Sequence, residues 1–421
     1  MNDVLQKIVT KVNSCSGKDD FLDVLFGSHK GKALGGWPVV LFGAGGLGAE
    51  IDYTLREWGI TPVCFCDNDS SKQGSVVGEL LTISFEELKQ KHSDSLVILS
   101  LDKHLDTVTK QLESSGFSRD NILRKENDPD SSLVAMYAMV GSCALFVHYR
   151  ESAKPQSILD TLVEMEDDVV KAYNAFSDQK SKDLFVSKLA VFASNMHFYM
   201  FKEFMLMFSE AIHKFGMLNY EGTSEDYFYF NNDVLSVSDG EVYIDVGAYD
   251  GDTIETFVNA CNQAEVNYKH IYGIEPDPAC FEKLQANIED YDDVSIHKIG
   301  LWSESKTLEF MPSGEAIHDQ AGEVFSEGSV KIEALSLDDF LDGDSVTFLK
   351  MDPSGVVVYD VMLGARKTLL KHNPKLALGI YHSLEEFINV PIFIKSINPE
   401  YNIFLRHNTY HLCDTDLYAY V

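Results

Sequence analysis

The stretch Val242-Tyr243-Ile244-Asp245-Val246-Gly247-Ala248-Tyr249-Asp250-Gly251-Asp252-Thr253 constrains the fold more than any other. An alternating apolar run ends on an acid, two glycines four apart follow, and a helix-compatible run from Thr253 to Ala260 begins. The pattern predicts a strand, a tight turn and a helix start. Glycine serves where the backbone takes positive φ or approaches a ligand, and a helix N-terminus adds unpaired N–H groups beside it. In open α/β sheets, such a turn at the carboxyl end of a parallel strand is where nucleotides bind. A second apolar stretch, His270 to Ile274, ends in Glu275-Pro276-Asp277, with Glu275 24 residues beyond Gly251. This is the spacing at which nucleotide-binding folds place a carboxylate on two ribose hydroxyls.

Further motifs follow in one collinear order. They are Gly300-Leu301-Trp302, Leu349-Lys350-Met351-Asp352, the run Pro374 to His382, Leu405 to Asn408 and Asp416 to Ala419. With the two stretches above, and over roughly residues 225 to 421, they resemble the FkbM family of S-adenosylmethionine-dependent O-methyltransferases. The resemblance implies a seven-stranded class I methyltransferase sheet and S-adenosylmethionine as cofactor. It implies cofactor contacts from Asp245, Val246, Gly247, Ala248, Gly251, Asp252, Thr253, Glu275, Pro276, Asp277, Gly300 and Leu301, and a hydroxyl acceptor on a carbohydrate, nucleotide-sugar or related small molecule. At one place the chain departs from the family. Where the family reads Asp, an aliphatic residue, Glu, Gly, this chain has Asp352-Pro353-Ser354-Gly355, so a carboxylate is missing at 354.

Methyl transfer from a sulfonium is an in-line displacement, so alignment and exclusion of water are the main tasks. A positioned base adds something like 10² to 10⁴ in rate. Asp352 directly follows the apolar run Thr347 to Met351, and His382 follows Leu376 to Tyr381, so both fall at the strand ends and are the base candidates. Adjacent, they would form a pair sensitive to pH near neutrality. The plainer alternative is that Asp352 anchors a loop or the cofactor's amino group, and that His382 donates to a backbone carbonyl.

A second strand, turn and helix pattern lies upstream. Val39 to Phe42 runs into Gly43-Ala44-Gly45-Gly46-Leu47-Gly48, helical spacing continues from Ala49 to Trp58, and the run Val63 to Cys66 ends at Asp67, nineteen residues past Gly48. Gly43, Gly45, Gly46, Leu47, Gly48 and Asp67 are therefore candidate contacts for a substrate or second nucleotide. A strand at Leu96 to Ser100 and a helix from His104 to Ser115 extend the unit. The run Asp67 to Gly74, then Gly78 to Leu81, resembles the nucleotide-sugar-binding domain of bacterial aminosugar acetyltransferases. The alternative is a scaffold whose glycines serve only strand-to-helix packing.

The expected architecture is α/β, with two Rossmann-like doubly wound sheets joined by a helical region. It divides into a helical preface at 1–35, a nucleotide-binding-like unit at 36–129, a helical region at 130–224 and the methyltransferase-like unit at 225–421. Helical spacing marks Ile158 to Val170, Leu184 to Phe208 and Val356 to Leu370, with Pro155 at a helix start and Gly216 at a stop. The crowd of Met196, Phe198, Tyr199, Met200, Phe201, Phe204, Met205, Met207 and Phe208 reads as core, or else as an adaptable binding surface.

With 34 basic and 66 acidic residues the formal charge is −32, which repels nucleic acid and anionic membrane surfaces. Seven cysteines without a CxxC pair fit a reducing cytoplasm, and Cys64 and Cys66, two apart on a strand, fit core packing rather than a metal site. The first residues lack a basic and apolar leader pattern, and no run approaches a membrane span, so a cytoplasmic location is expected. His318, in the loop Ser313 to Gly328, reads as a solvated histidine or a substrate contact. Two other classes compete with an enzyme of methyl transfer. One is a non-catalytic nucleotide-sugar-binding scaffold. The other is an NAD-dependent dehydrogenase built on the first glycine turn, for which no downstream Tyr-x-x-x-Lys or His–Asp pair is evident.

Overall fold

The computed structural model describes residues 1–18, 21–101, 104–124, 158–194, 197–210, 228–310, 330–353, 357–409 and 413–421. Pro155, Met196, Gly216, the loop Ser313 to Gly328 with His318, and Ser354-Gly355 lie outside them. The first sheet grows from short runs that are apolar on both faces, the composition of parallel strands covered by helices. It contains β1 (Val39–Phe42), β2 (Cys64–Cys66), β3 (Val76–Val77), β4 (Leu80–Ile83), β5 (Leu96–Leu99) and β6 (Ile122–Leu123), in the order β3-β4-β2-β1-β5-β6. Only β3 runs antiparallel to its neighbour. Cys64 and Cys66 are buried in its core with Val40, Phe42, Val97 and Leu112.

The large sheet holds β7 (Glu241–Val246), β8 (Tyr268–Ile274) and β9 (Val294–His297), then, past a small side sheet of β10 (Gly300–Leu301), β11 (Lys306–Phe310) and β12 (Val330–Leu335), β13 (Phe348–Met351), β14 (Lys375–Gly379), β15 (Asn402–His407) and β16 (Thr415–Tyr420). Its order, β15-β16-β14-β13-β7-β8-β9, reverses direction between β7 and β13, which makes that crevice the topological switch point. Only β16 is antiparallel to its neighbours. One face packs under the helix Asp252–Gln263, where Tyr243 stacks on Phe257 with centroids 4.2 Å apart and Phe230 and Phe348 close the cluster. The other packs under the helices Val358–Leu363 and Leu384–Ile397.

Several expected helices are divided. Val356 to Leu370 holds two helices, Val358–Leu363 and Arg366–His372, parted at Gly364 and Ala365, the cap residues between them; Gly364 is held as glycine because a side chain there would stand 2.2 Å from the carbonyl of Trp302. Ile158 to Val170 divides into Ile158–Glu164 and Glu166–Ala175, and Leu184 to Phe208 falls in Gln179–Ala193 and Phe198–Phe208, the second started by the His197 side chain accepting from Tyr199 N–H. The methionine-aromatic crowd is mostly core: Phe198, Met200, Phe201, Phe204, Met205 and Phe208 are buried, and Met207 faces out.

The helix Gln179–Ala193 lies against β15 and against the helix Asp3–Asn13. Phe176 bridges Ile403 and Ser209 bridges His407 along the outer edge of β15. Arg406 fastens this junction, its guanidinium paired with Asp233 at 2.8 Å and Asp178 at 3.0 Å. Among the described residues no helix is long and apolar enough to cross a membrane, and no three His, Cys, Asp or Glu side chains converge as a metal site.

Candidate functional site

The register Ile274↔Val246↔Met351↔Leu378 ends β8, β7, β13 and β14 at one level, so the residues that follow them form a common rim. At Gly247, with φ +79°, a side chain would meet the carbonyl of Asp352 and the Cα of Pro353 at 2.7 Å each, so glycine alone lets the two strand exits pass. Gly251, at φ +96°, starts the helix Asp252–Gln263. The amides of this turn are mostly committed inside the protein. Gly247 and Ala248 N–H donate to the Ile274 carbonyl, Gly251 N–H to Ala248, Tyr249 N–H to Glu275, and Thr253 N–H to the Asp252 side chain. Such a turn offers a ligand acceptors, not an amide cradle for phosphate.

Glu275 is buried, and each of its oxygens is fixed by one backbone donor: Oε2 accepts from Tyr249 N–H at 3.0 Å and Oε1 from Asp277 N–H at 2.8 Å. A carboxylate oxygen has two acceptor sites, so each keeps one for a hydroxyl. Burial pushes this carboxyl up to about 7, partly offset by the two amides. Pro276 follows, and Asp277 starts the helix Pro278–Asn287 by accepting from Ala279 and Cys280 N–H, which makes its present contacts those of a cap.

Behind the turn lies a buried ion pair. Asp245, wholly buried, and Lys350, 3% exposed, face each other across β7 and β13, with Lys350 Nζ 3.0 Å from Asp245 Oδ1. Nζ donates to the carbonyl of Gly247 at 3.1 Å and to Thr253 Oγ1 at 3.4 Å, while neither Asp245 oxygen receives a well-aligned donor. Burial pushes Asp245 up to about 6 against the pull of Lys350. Burial also draws Lys350 down, but Asp245 and Asp352 outweigh it and hold the ammonium above its ordinary value.

At the ends of β13 and β14, Asp352 accepts from two tyrosines: Tyr229 Oη at 2.8 Å and Tyr381 Oη at 2.9 Å. Its carboxylate lies over Gly379, where a side chain would stand 2.4 Å from Oδ1. His382 stacks on Tyr381, centroids 4.1 Å apart, and its Nε2 is 3.9 Å from Asp352 Oδ1, close enough to feel the charge but beyond hydrogen-bond range. The sequence therefore brings Asp352 and His382 together as neighbours, held through Tyr381.

Val246, Ala248 and Asp252 belong to the same rim. Gly300 and Leu301 lie in β10, paired with β12 and buried. Gly43, Gly45, Gly46, Leu47, Gly48 and Asp67 form their own turn on the first sheet. There Asp67 accepts from Ala44 N–H at 2.9 Å and from Asp69 N–H at 2.9 Å, with Lys72 Nζ 3.4 Å away. Gly48 is required by packing, since a side chain would stand 2.2 Å from the carbonyl of Gly43, whereas Gly45 and Gly46 border open space. Lys350, Tyr229 and Tyr381 join the site without having been singled out as site residues. A lone lysine inside the apolar run Leu349 to Met351 was the available signal for the first, and Tyr229 had none.

Residues 245–412 match the family model of the methyltransferase FkbM domain, and that match supports methyl transfer as the general chemistry of this unit. Among solved structures, a methyltransferase FkbM from Methylobacillus flagellatus KT is similar at 18% identity with TM-score 0.61, covering 99% of both chains, which shows a shared fold. A fibrillarin from Aeropyrum pernix bound to S-adenosyl-L-methionine is similar at 10% identity and TM-score 0.28, over 45% of this chain and 70% of that one. A precorrin-6y C5,15-methyltransferase from Geobacter metallireducens GS-15 is similar at 11% identity and TM-score 0.27, over 47% and 94%. A search of curated protein sequences gives no match.

Proposed function

We propose that residues 225 to 421 form an S-adenosylmethionine-dependent O-methyltransferase acting on a hydroxyl of a carbohydrate or related small molecule. The observation that carries this reading is Glu275, whose two oxygens are oriented by backbone amides and retain acceptor capacity at the end of β8, one strand from the switch point. The donor set fits the cofactor. A ribose needs acceptors for two hydroxyls, the methionine ammonium is drawn by the acidic rim, and the molecule carries no phosphate to miss the committed amides. When bound, S-adenosylmethionine supplies an electrophilic methyl group.

The chain's own residues then bind, orient and accept a proton. Glu275 holds the ribose hydroxyls, and Asp245 acts through Lys350 to fix the Gly247 carbonyl and Thr253. Both oxygens of Asp352 already accept from tyrosine hydroxyls, so it orients Tyr381 and polarises His382. His382 is the better acceptor for the hydroxyl proton. His382→Ala and Asp352→Asn should each cut turnover by roughly 10² or more, with cofactor affinity within a few-fold. Weakened cofactor binding with unchanged saturated turnover would move both residues into the cofactor pocket.

The first sheet is read as the holder of a nucleotide or nucleotide-sugar, cytoplasmic like the cofactor. The open space beside Gly45 and Gly46, with the N–H groups of Gly46 and Leu47 meeting no acceptor among the described residues, supports it. Separate titrations with S-adenosylmethionine and a uridine-diphosphate sugar test the whole assignment. Binding of the sugar nucleotide alone would leave a scaffold that keeps the fold without the reaction.

A further inference from the structure

The described residues hold eight non-glycine positions with positive φ: His104, Asn231, Tyr249, Glu265, Asp293, Asp342, Asn373 and Asp414. Five are Asn or Asp, the residues that tolerate this conformation best, and His104 and Glu265 are polar. Tyr249, at φ +47°, is the one large aromatic among them, and it stands between Gly247 and Gly251 in the turn that follows β7. Folding does not account for the choice. The side chain is 46% exposed, and among the described residues its hydroxyl has no hydrogen-bond partner and its ring no aromatic neighbour. What the turn needs from residue 249 is its N–H, which Glu275 Oε2 accepts at 3.0 Å, and asparagine would supply that equally.

We infer that the ring of Tyr249 packs against the sulfonium of the methyl donor and so distinguishes the charged donor from its neutral, demethylated product. This rests on the methyltransferase reading above. The placement follows from covalent geometry. Glu275 fixes the ribose hydroxyls, the sulfur is joined to the same ribose through its C5′ carbon, and Tyr249 leaves the backbone at the amide bound to that carboxylate. An exposed tyrosine face presents the negative side of its quadrupole, which attracts a cation more strongly than it attracts a neutral thioether. A strained, exposed aromatic at this point is thus explained by the charge it meets.

The test is calorimetric titration of the full chain with S-adenosylmethionine and with S-adenosylhomocysteine, for the unaltered protein, Tyr249→Phe and Tyr249→Asn. Tyr249→Asn should weaken S-adenosylmethionine roughly tenfold and S-adenosylhomocysteine by a clearly smaller factor of about two to three, and Tyr249→Phe should keep the discrimination. The melting temperature of Tyr249→Asn should not fall, because asparagine suits the left-handed turn. Equal losses for both ligands, or no loss for either, overturn the role of Tyr249 while leaving the methyltransferase assignment in place. An unaltered protein that binds neither ligand overturns both.

Discussion

The turns after β1 and after β7 share one backbone recipe and arrive at opposite chemistry. In each, a strand enters a glycine turn, a helix follows, and the acid ending the next strand reaches back to an amide of the turn. Asp67 takes Ala44 N–H and then Asp69 N–H, as Glu275 takes Tyr249 N–H and then Asp277 N–H. Around this shared frame the two differ. Asp67 has Lys72 beside it, the strand behind is apolar, and the N–H groups of Gly46 and Leu47 are uncommitted among the described residues. Glu275 has no cation within ion-pair distance among the described residues, a buried Asp245–Lys350 pair stands behind its turn, and most of the turn amides are committed. Glycine spacing therefore sets the path of the chain. What the turn can bind depends on which amides are left over and where buried charge sits.

The largest test of this contrast removes the charge behind the second turn. Lys350→Met should destabilise the protein by about 3 to 5 kcal/mol in urea unfolding, because Asp245 is left buried without its cation. Adding Asp245→Leu should restore most of that, whereas Lys72→Met beside the first turn should cost less than about 1 kcal/mol, as a part-exposed pair. Equal costs at the two turns would erase the distinction.

A smaller effect separates the acids. Glu275→Ala should weaken S-adenosylmethionine by about 1.5 to 3 kcal/mol, the scale of hydrogen bonds to a charged group, and Asp67→Ala should leave that affinity unchanged. The pH dependence sharpens the comparison. Burial raises Glu275 to about 7, and ribose hydroxyls favour its ionised form. Binding must then expel a proton near and below that pH, so affinity falls as pH drops through 7, and titration in buffers of different ionisation heat should register proton release. A dissociation constant flat from pH 8 to 6 would remove Glu275 from the ribose.

The smallest effect belongs to Gly46, which borders open space at a helix start without positive φ. Gly46→Ala should raise stability by about 0.4 to 1 kcal/mol through the unfolded chain. It should also weaken any sugar nucleotide that approaches this turn. A loss of stability would show that the space is not open.

Both sheets were legible because their central strands are apolar runs halted by glycine turns, and Glu275, Asp352 and His382 were legible as the residues those runs end on. The ion pair was not, since it depends on the register that sets Lys350 opposite Asp245, 105 residues earlier. Tyr229 reaches Asp352 from 123 residues away, and no local pattern encodes such a contact. Periodicity overran the break at Gly364 and Ala365 because apolar spacing continues across the two cap residues. The hairpin of β3 and β4 escaped notice because Val76–Val77 is too short to alternate. Nor does spacing tell a glycine needed for packing, such as Gly48, from one bordering solvent, such as Gly45.

The cover over the outer edge of β15 has a consequence for how the chain comes off the ribosome. Phe176 and Ser209, which bridge Ile403 and His407, are synthesised about 200 residues before the strand they shield. At ribosomal rates of roughly 5 to 20 residues per second, that is about ten to forty seconds of waiting. Throughout that interval the helix Gln179–Ala193 lacks the strand it packs on, and Leu184, Phe185, Leu189 and Phe192, buried in the finished protein, need another partner. The helix Asp3–Asn13, made earlier still and packed on the same helix in the finished protein, is on hand to provide it. A cover joined in that interval shortens the time in which the open edge of β15 could pair with a neighbouring nascent chain.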